Sequence, residues 1–266
     1  MRLRIEHETR YCYDAPVAYG LQQVRLRPKD TRGQSVLDWK ISIEGGAPEL
    51  HYEDHNGNAV DLIGIERGAT ETAIRCVGLV ENTNNDGVLG KHRGFLPLWH
   101  FRRSSDLTKA GEGVRELVGK LADADIGDVS TGHRLSEAIL DAVGYEGGNT
   151  HSGTTAEEAI AGGTGVCQDH AHIFCSAARL MGLPARYVSG YLMMNDRVEQ
   201  DASHAWAEAF FEGLGWVGFD ISNGYSPDER YIRIATGIDF REAAPVSGMR
   251  MGGSNEGVLV SLRVEQ

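Results

Sequence analysis

The chain has 266 residues, which is long enough for one large domain or two smaller ones. Hydrophobic residues make up 41% of it and charged residues 24%, and this ordinary globular usage excludes a disordered or low-complexity chain. With 26 basic against 38 acidic residues, the net charge of −12 provides no basic surface for a nucleic acid or an anionic membrane, so we expect neither as a partner. The 34 glycines indicate many turns and prominent β structure.

Alternation of apolar and polar residues predicts β strands over the first 95 residues. Leu3 and Ile5 alternate with polar neighbours, and the same period of two recurs at residues 39–43. Asn56-Gly57 lies between two strand-like runs and is a hairpin signal. We therefore predict a β-sandwich-like N-terminal domain over residues 1–95. Because nothing in it gathers a nucleophile, a base and an electrophile, we expect a structural or docking module.

After Leu96-Pro97 the apolar residues recur three and four positions apart, which is typical of amphipathic helices. The pattern predicts three helices, at 112–121, at 133–143, and from Val166 or Cys167 to a stop at Gly182 and Pro184. It also predicts four strands, at 185–194, 203–211, 216–221 and 257–264. The sequence as a whole is therefore α+β, and we predict a second domain over residues 96–266 that includes the C-terminal strand.

The sequence contains no apolar run near the roughly 18–20 residues that a membrane span needs, and its alternating start lacks the apolar block of a signal peptide. The four cysteines are irregularly spaced, without a CxxC pair, which indicates neither a disulfide framework nor a zinc ribbon. These observations predict a reduced, cytoplasmic setting. They leave the oligomeric state open.

Cys167 is a candidate nucleophile because of its position. It follows the glycine-rich residues 161–165, which permit a sharp turn and the close approach of a ligand, and it begins the third predicted helix. Exposed N–H groups and the positive end of the helix dipole favour a thiolate at such a place. Free cysteines are also among the most buried residues, so position alone leaves a structural role open.

His204 and Asp220 are predicted to lie near each other. If residues 212–214 form a three-residue hairpin loop, Phe211 pairs with Gly215, and His204 and Asp220 become diagonal neighbours about 7–8 Å apart on one face. A thiolate, an imidazole and a carboxylate form the triad of acyl-transfer cysteine enzymes. Taken singly, His204 could be a histidine of the core and Asp220 an aspartate of a turn. These structural roles do not explain why Cys167, His204 and Asp220 occur together.

Several segments resemble the transglutaminase-like superfamily. The core segments are GTGVCQDHAHIFCSAARLMGLPARYVSGYL from Gly163 and ASHAWAEAFFEGLGWVGFD from Ala202. Four further segments are similar to bacterial members that carry a dedicated N-terminal β domain: RLRIEHETRYCYDAPV, RLRP, YEDHNGNAV and TGIDFREAAPVSGMRMGG. The resemblance covers essentially the whole chain. The sequence departs from the family pattern at His170, Ile221 and Ile238, outside the triad.

The resemblance implies a papain-like, transglutaminase-like core after the N-terminal β domain, and no cofactor. It implies that Cys167 is the nucleophile, that His204 is the general base and acid, and that Asp220 orients the imidazole. The expected activity is cysteine-dependent hydrolysis of an amide or peptide bond in a peptide or protein substrate, through a thioester acyl-enzyme. Transamidation to an amine and a catalytically silent peptide-binding module are the alternatives.

Three further residues are candidates for the cleft. The backbone N–H of Cys167 is a natural oxyanion donor, and Gln168 is the adjacent side-chain candidate for a second one, although it could equally be a solvated residue at the helix start. Trp206 and Trp216 could form walls of the cleft or belong to the core.

A metal site is the competing interpretation of the cysteine helix, where four possible ligands cluster: Asp169, His170, His172 and Cys175. Residues two positions apart on a helix point to different faces, so His170 and His172 do not easily share an ion. The sequence therefore predicts no metal, and Asp169 is expected to complement the helix dipole in the first turn.

Overall fold

The structure, a computed structural model, describes residues 1–252 and 255–266. Residue 253, which ends the last segment of the resemblance, lies outside this description. The first part of the chain consists of strands, as expected. They are β1 (Arg2–Tyr13), β2 (Tyr19–Arg27), β3 (Gln34–Glu44), β4 (Gly46–Glu53), β5 (Ala59–Ile65), β6 (Glu71–Asn82) and β7 (Val88–Gly90).

The rest of the chain mixes helices and strands, which confirms the α+β class. Short 3-10 turns at Leu98–Arg102 and Asp106–Thr108 precede the first helix. The elements that follow are α1 (Glu112–Gly119), α2 (Ser130–Ala142), β8 (Gly144–Tyr145), α3 (Ala156–Gly162), β9 (Thr164–Gly165), α4 (Cys167–Leu180), β10 (Ala185–Leu192), β11 (Glu199–Gln200), β12 (His204–Phe211), β13 (Gly215–Phe219), β14 (Tyr231–Gly237), α5 (Phe240–Ala243), β15 (Val246–Met251) and β16 (Glu256–Glu265).

Two sheets form a sandwich. One has the strand order β11-β16-β1-β6-β3 and the other the order β15-β2-β5-β4. Their inner faces contribute to one buried apolar cluster, in which Val24, Leu26 and Ile63 of the second sheet meet Ile74 and Cys76 of the first. Sheets with one apolar face are stable when they bury that face against another layer, and here each sheet covers the other.

The last two strands belong to the sandwich. β16 lies beside β1, from Arg4 opposite Glu265 to Tyr13 opposite Glu256, and β15 lies beside β2. This corrects the expectation that the C-terminal strand belongs with residues 96–266. The alternating pattern specifies a strand, but it does not specify which distant strand will be its partner. The boundary near residue 95 stays a prediction.

A third sheet, of order β14-β10-β12-β13-β7, carries α4 on one face. Ala205, Ala207 and Ala209 alternate along β12 and are buried together with the alanines of α4. These small side chains let the helix approach the sheet closely. The strands predicted after residue 96 are present, with small differences at their ends. β7, which lies within the first 95 residues, pairs with β13 of this sheet.

The helices follow the predicted positions, with two additions, α3 and the four-residue α5. α1, α2 and α4 lie where the periodicity predicts them, and Gly182, with φ of 95°, adopts the left-handed conformation just after α4. The sequence analysis missed α3, although Thr155 and Glu158 form a capping box at its start. Within residues 1–252 and 255–266, no helix is both long and apolar enough to cross a bilayer.

Three amide side chains of the sandwich bind the outer edge of β14, and we call them the amide clasp (Gln34, Asn58 and Asn82). Gln34 and Asn58 each make two hydrogen bonds to one residue of β14. In each case the side-chain amide donates to the backbone carbonyl of that residue and accepts from its backbone N–H, at 2.7–2.9 Å. Asn82 donates to a carbonyl at 2.7 Å. An edge strand otherwise leaves such groups unpaired. The bonded pairs are Gln34 with Arg233, Asn58 with Thr236 and Asn82 with Tyr231.

Candidate active site

Cys167 is the first residue of α4, as predicted. The helix start is fixed by Asp169, whose Oδ2 accepts hydrogen bonds from the Val166 backbone N–H at 2.8 Å and from Thr150 Oγ1 at 2.7 Å. Asp169 therefore caps the helix, in agreement with its predicted place in the first turn. Cys167 is partly exposed, whereas Cys175 lies deeper along the same helix and is fully buried. Burial raises the pKa of Cys175 to about 11.

The structure brings His204 and Asp220 together. The hairpin has the predicted register, with Phe211 opposite Gly215, and its ladder continues to Ala207 opposite Phe219. His204 Nε2 donates to Asp220 Oδ2 at 2.6 Å, and both side chains are buried. With Nε2 bonded to Asp220, Nδ1 is the ring nitrogen left to face Cys167. The predicted contact between His204 and Asp220 is confirmed, while the catalytic roles stay predictions.

Asp220 is held by two residues that the sequence analysis did not identify. Its Oδ2 also accepts from Tyr231 Oη at 2.6 Å and from Asn223 Nδ2 at 2.7 Å. Burial alone would raise the pKa of Asp220, but the bonds from His204, Tyr231 and Asn223 outweigh burial and lower it. The alternation in YIRIATG could have indicated β14, but no local signal places its first residue beside Asp220.

The environment of His204 favours its protonated form. Burial acts to lower the pKa of the imidazole, but the hydrogen bond and charge of Asp220, together with the contact with Cys167, outweigh it and raise the pKa to about 10. The ring packs against two aromatic side chains, with centroids 6.2 Å from Trp206 and 5.9 Å from Tyr231. These contacts favour the protonated form of the imidazole and give its ring a fixed orientation.

Cys167 and His204 face a cleft of about 540 Å³. This volume lies within the range of roughly 300–1,000 Å³ that is usual for ligand sites. One side of the cleft comes from the core and includes Gln168 and Tyr187. The opposite side comes from the sandwich, through β1, β15 and β16. The N-terminal sheets and the C-terminal strands therefore help to form the cleft that the nucleophile candidate faces.

The structure separates the remaining cleft candidates. Gln168 lines the cleft beside Cys167 and is partly buried, so its role as an oxyanion donor stays a prediction. Trp206 is only 2% exposed and packs against His204 and, edge to face, against Tyr231 at 5.5 Å. Trp206 is therefore a support for the imidazole and not a wall of the cleft, because it is buried in a cluster with Val188, Leu192 and Tyr231.

Trp216 is also not a wall of the cleft. It lies opposite Phe210, six residues along β12 from His204, which is about 20 Å at the rise of a strand. Its Nε1 donates to His92 Nδ1 at 3.0 Å, and the Arg186 guanidinium lies 3.9 Å from the ring centroid. These partners bury Trp216 at the far end of the hairpin.

The histidines of α4 are core residues. His170 Nε2 donates to the Val143 carbonyl at 3.0 Å and its Nδ1 accepts from Ser222 Oγ at 2.9 Å, while His172 Nε2 accepts from the Phe240 backbone N–H. Burial lowers the pKa of both, to about 4 for His172, so both are neutral. In the part of the chain that the structure describes, no group of three His, Cys, Asp or Glu side chains could hold a metal ion.

Comparisons with known proteins agree with this architecture. An uncharacterized protein of Mycobacterium leprae is 24% identical over 267 residues, covering 94% of each chain. One of Mycobacterium tuberculosis is 26% identical over 288 residues, covering 97% of this chain and 90% of that protein. The crystal structure of a candidate cysteine protease from Cytophaga hutchinsonii shares the fold, with a TM-score of 0.75 at 21% identity over 100% of this chain and 98% of that one.

Two family models match separate parts of the chain. Residues 3–81, which contain most of the sandwich strands, match the bacterial transglutaminase-like N-terminal region. Residues 115–221, which contain Cys167, His204 and Asp220, match the transglutaminase-like superfamily. These two matches show that the chain carries a core of the transglutaminase-like superfamily at residues 115–221 and the N-terminal region of bacterial transglutaminase-like proteins at residues 3–81.

Proposed function

We propose that this protein is a cysteine-dependent amide or peptide hydrolase that works through an acyl-enzyme on Cys167. The observation that carries the proposal is the buried 2.6 Å hydrogen bond between His204 and Asp220, beside a partly exposed cysteine at a helix start that opens into a cleft. The raised pKa of His204 supports it, because an imidazolium can both stabilise a thiolate and later give up its proton.

In the first half-reaction, Cys167 Sγ attacks the carbonyl carbon of the scissile amide after its proton has passed to His204. A C–S bond forms, and the carbonyl oxygen becomes an oxyanion near the N–H groups at the start of α4. The tetrahedral intermediate then collapses and the C–N bond breaks. The imidazolium gives its proton to the leaving nitrogen, so an amine departs and a thioester remains.

In the second half-reaction, water attacks the thioester carbonyl while His204 accepts a proton from it. The C–S bond breaks, the carboxylic acid product leaves and the proton returns to the Cys167–His204 pair. We propose water rather than an amine as the acceptor because the cleft is open to solvent, in which water is present at about 55 M, and an amine prevails only where a site concentrates it and holds water off.

The test of the nucleophile is turnover of a fluorogenic peptide library by wild type, Cys167→Ala and the control Cys12→Ala. Cys12 is exposed and lies in β1, so its removal leaves the site intact. We expect the Cys167 variant to lose turnover on the order of 10⁴-fold or more and the control to keep it. Equal turnover by wild type and Cys167→Ala on an accepted substrate would contradict the proposal.

The acceptor is tested separately. An accepted peptide substrate is incubated with a labelled primary amine at millimolar concentration, and free acid and amine adduct are quantified by mass. We expect the acid to predominate. A predominance of adduct would replace hydrolysis by transamidation and leave the role of Cys167 unchanged.

A further inference from the structure

The side chains that β1 and β16 contribute to the cleft are uncharged. β1 and β16 contribute two directly opposed pairs to it, Tyr11 with Val258 and Thr9 with Val260. His7 continues this face, and burial lowers its pKa to about 4, so it is neutral. The charged side chains of the same cleft come from the segment between β10 and β12, which includes β11 of the sandwich.

The apolar face of β16 extends from the core into the cleft. Val264 and Leu262 on this face are buried, with exposed fractions of 0% and 1%, Val260 is partly buried and Val258 is 48% exposed. One face of one strand is thus covered by protein at one end and open at the other. Single exposed apolar residues are common, but an apolar face that emerges from the core opposite a nucleophile is typical of a binding surface.

We propose that the apolar wall (Tyr11, Val258 and Val260) binds an apolar side chain of the acyl donor, next to the bond that Cys167 attacks. This inference rests on the proposed function and names its substrate class: peptides with an aliphatic or aromatic residue at the acyl side. Such a side chain gains free energy by leaving water against this wall. A charged side chain there loses hydration against three uncharged side chains, which cannot replace its water.

Peptidyl chloromethyl ketones that differ in one residue beside the reactive carbon, Leu, Phe, Lys or Asp, test the wall without any turnover. The Cys167 thiolate attacks the methylene carbon, so that a C–S bond forms, the C–Cl bond breaks and chloride leaves. The rate of modification is followed by peptide mass. We expect the Leu and Phe reagents to react at least tenfold faster than the Lys and Asp reagents, and equal rates for all four would overturn the inference.

Two matched variants locate the preference. Val258→Asp places a charge on the wall, while Leu259→Asp places the same charge on the next residue, which is 65% exposed on the other face of β16. We expect Val258→Asp to abolish the preference for Leu and Phe and to favour the Lys reagent, and Leu259→Asp to behave as wild type. A similar change in both variants would contradict a role of the wall. Val258→Ala, which keeps the strand uncharged, is expected to weaken the preference by a smaller factor.

Iodoacetamide separates this inference from the proposed function, because the reagent is too small to use the wall. We expect it to mark Cys167 first, at the same rate in wild type and in Leu259→Asp. A Cys167 that iodoacetamide does not mark would overturn the proposed function and the wall with it. A Cys167 that it marks, together with equal rates for the four ketones, would overturn the wall alone.

Discussion

At the scale of single residues, the unusual feature is the number of donors on one oxygen of Asp220. His204, Tyr231 and Asn223 all donate to Oδ2, at 2.6–2.7 Å. A buried carboxylate is stable only when such bonds replace its hydration. Tyr231 and Asn223 hold the Asp220 carboxylate in place. The carboxylate then fixes the tautomer and the orientation of the His204 imidazole. We therefore regard Tyr231 as a positioning residue.

Tyr231→Phe tests this role, because it keeps the ring and removes the hydroxyl donor. Loss of a hydrogen bond to a charged group, about 1.5–3 kcal/mol, is expected to lower kcat about tenfold or more with little change in KM. It also removes one cause of the lowered pKa of Asp220, so the acid limb of the kcat/KM profile should move to higher pH.

The control for this variant is Tyr52→Phe, which removes a hydroxyl bonded to Gln23 in the sandwich. It should leave both kcat and the pH profile unchanged. If Tyr231→Phe only scales the profile down without moving its acid limb, the hydroxyl has a structural role and not a positioning one.

The raised pKa of His204 also predicts a pH dependence of stability. The folded pKa of about 10 lies above the unfolded value near 6.5, so the contribution to the free energy of unfolding is full below pH 6.5 and is lost as the pH rises through 10. Asp220→Asn removes the main favourable cause of the shift. We expect the free energy of unfolding, measured by denaturant titration, to fall between pH 6.5 and 10 in wild type. The fall should be clearly smaller in the variant, and parallel curves would contradict this linkage.

At the scale of elements, the sequence predicts what depends on local pattern. The start of α4 at Cys167 follows from the glycines and the helical spacing. The register of the β12–β13 hairpin follows from the loop length, and it brings His204 to Asp220. The partners of β14, β15 and β16 depend on contacts between distant parts of the chain. For this reason Tyr231, the apolar wall and the buried places of Trp206 and Trp216 could not be derived from the sequence.

The amide clasp is an element-scale feature that stability measurements can test. Asn58→Leu keeps the approximate size of the side chain but leaves the N–H and C=O of Thr236 without these partners. We expect a loss of about 2–4 kcal/mol in the free energy of unfolding, from two unsatisfied buried groups. Asn149→Leu, at an exposed asparagine, should change it by about 0.5 kcal/mol or less. Equal losses in the two variants would contradict the role of the clasp.

At the scale of the whole molecule, the sandwich is built from both ends of the described chain. β16 covers one side of β1, and its Val264 and Leu262 are buried in the same apolar cluster as Leu3 and Ile5. Along the sequence, the transglutaminase-like core thus lies between two strands, β1 and β16, that pair with each other. The sandwich and the cleft wall depend on residues that are more than 240 positions apart.

A chain shortened after Pro245 lacks β15 and β16, so we expect it to lose cooperative unfolding and to aggregate. The free edges of β1 and β2 and the uncovered Leu3 and Ile5 are the physical reason. Size-exclusion chromatography and thermal unfolding check this expectation against a chain that lacks only Gln266, which is exposed. A monomeric shortened chain with wild-type unfolding would show that the two strands are dispensable.

The pairing of β16 with β1 also determines when the cleft can be completed during synthesis. During synthesis β1 leaves the ribosome first, and its partner follows only when residues 256–265 have been made. At roughly 5–20 residues per second, 266 residues take about 13–53 s, and for nearly all of this period the cleft lacks its apolar wall. On the proposed function, a nascent chain whose Cys167 and His204 have already emerged therefore lacks the wall that we propose selects its substrate until β16 has been made.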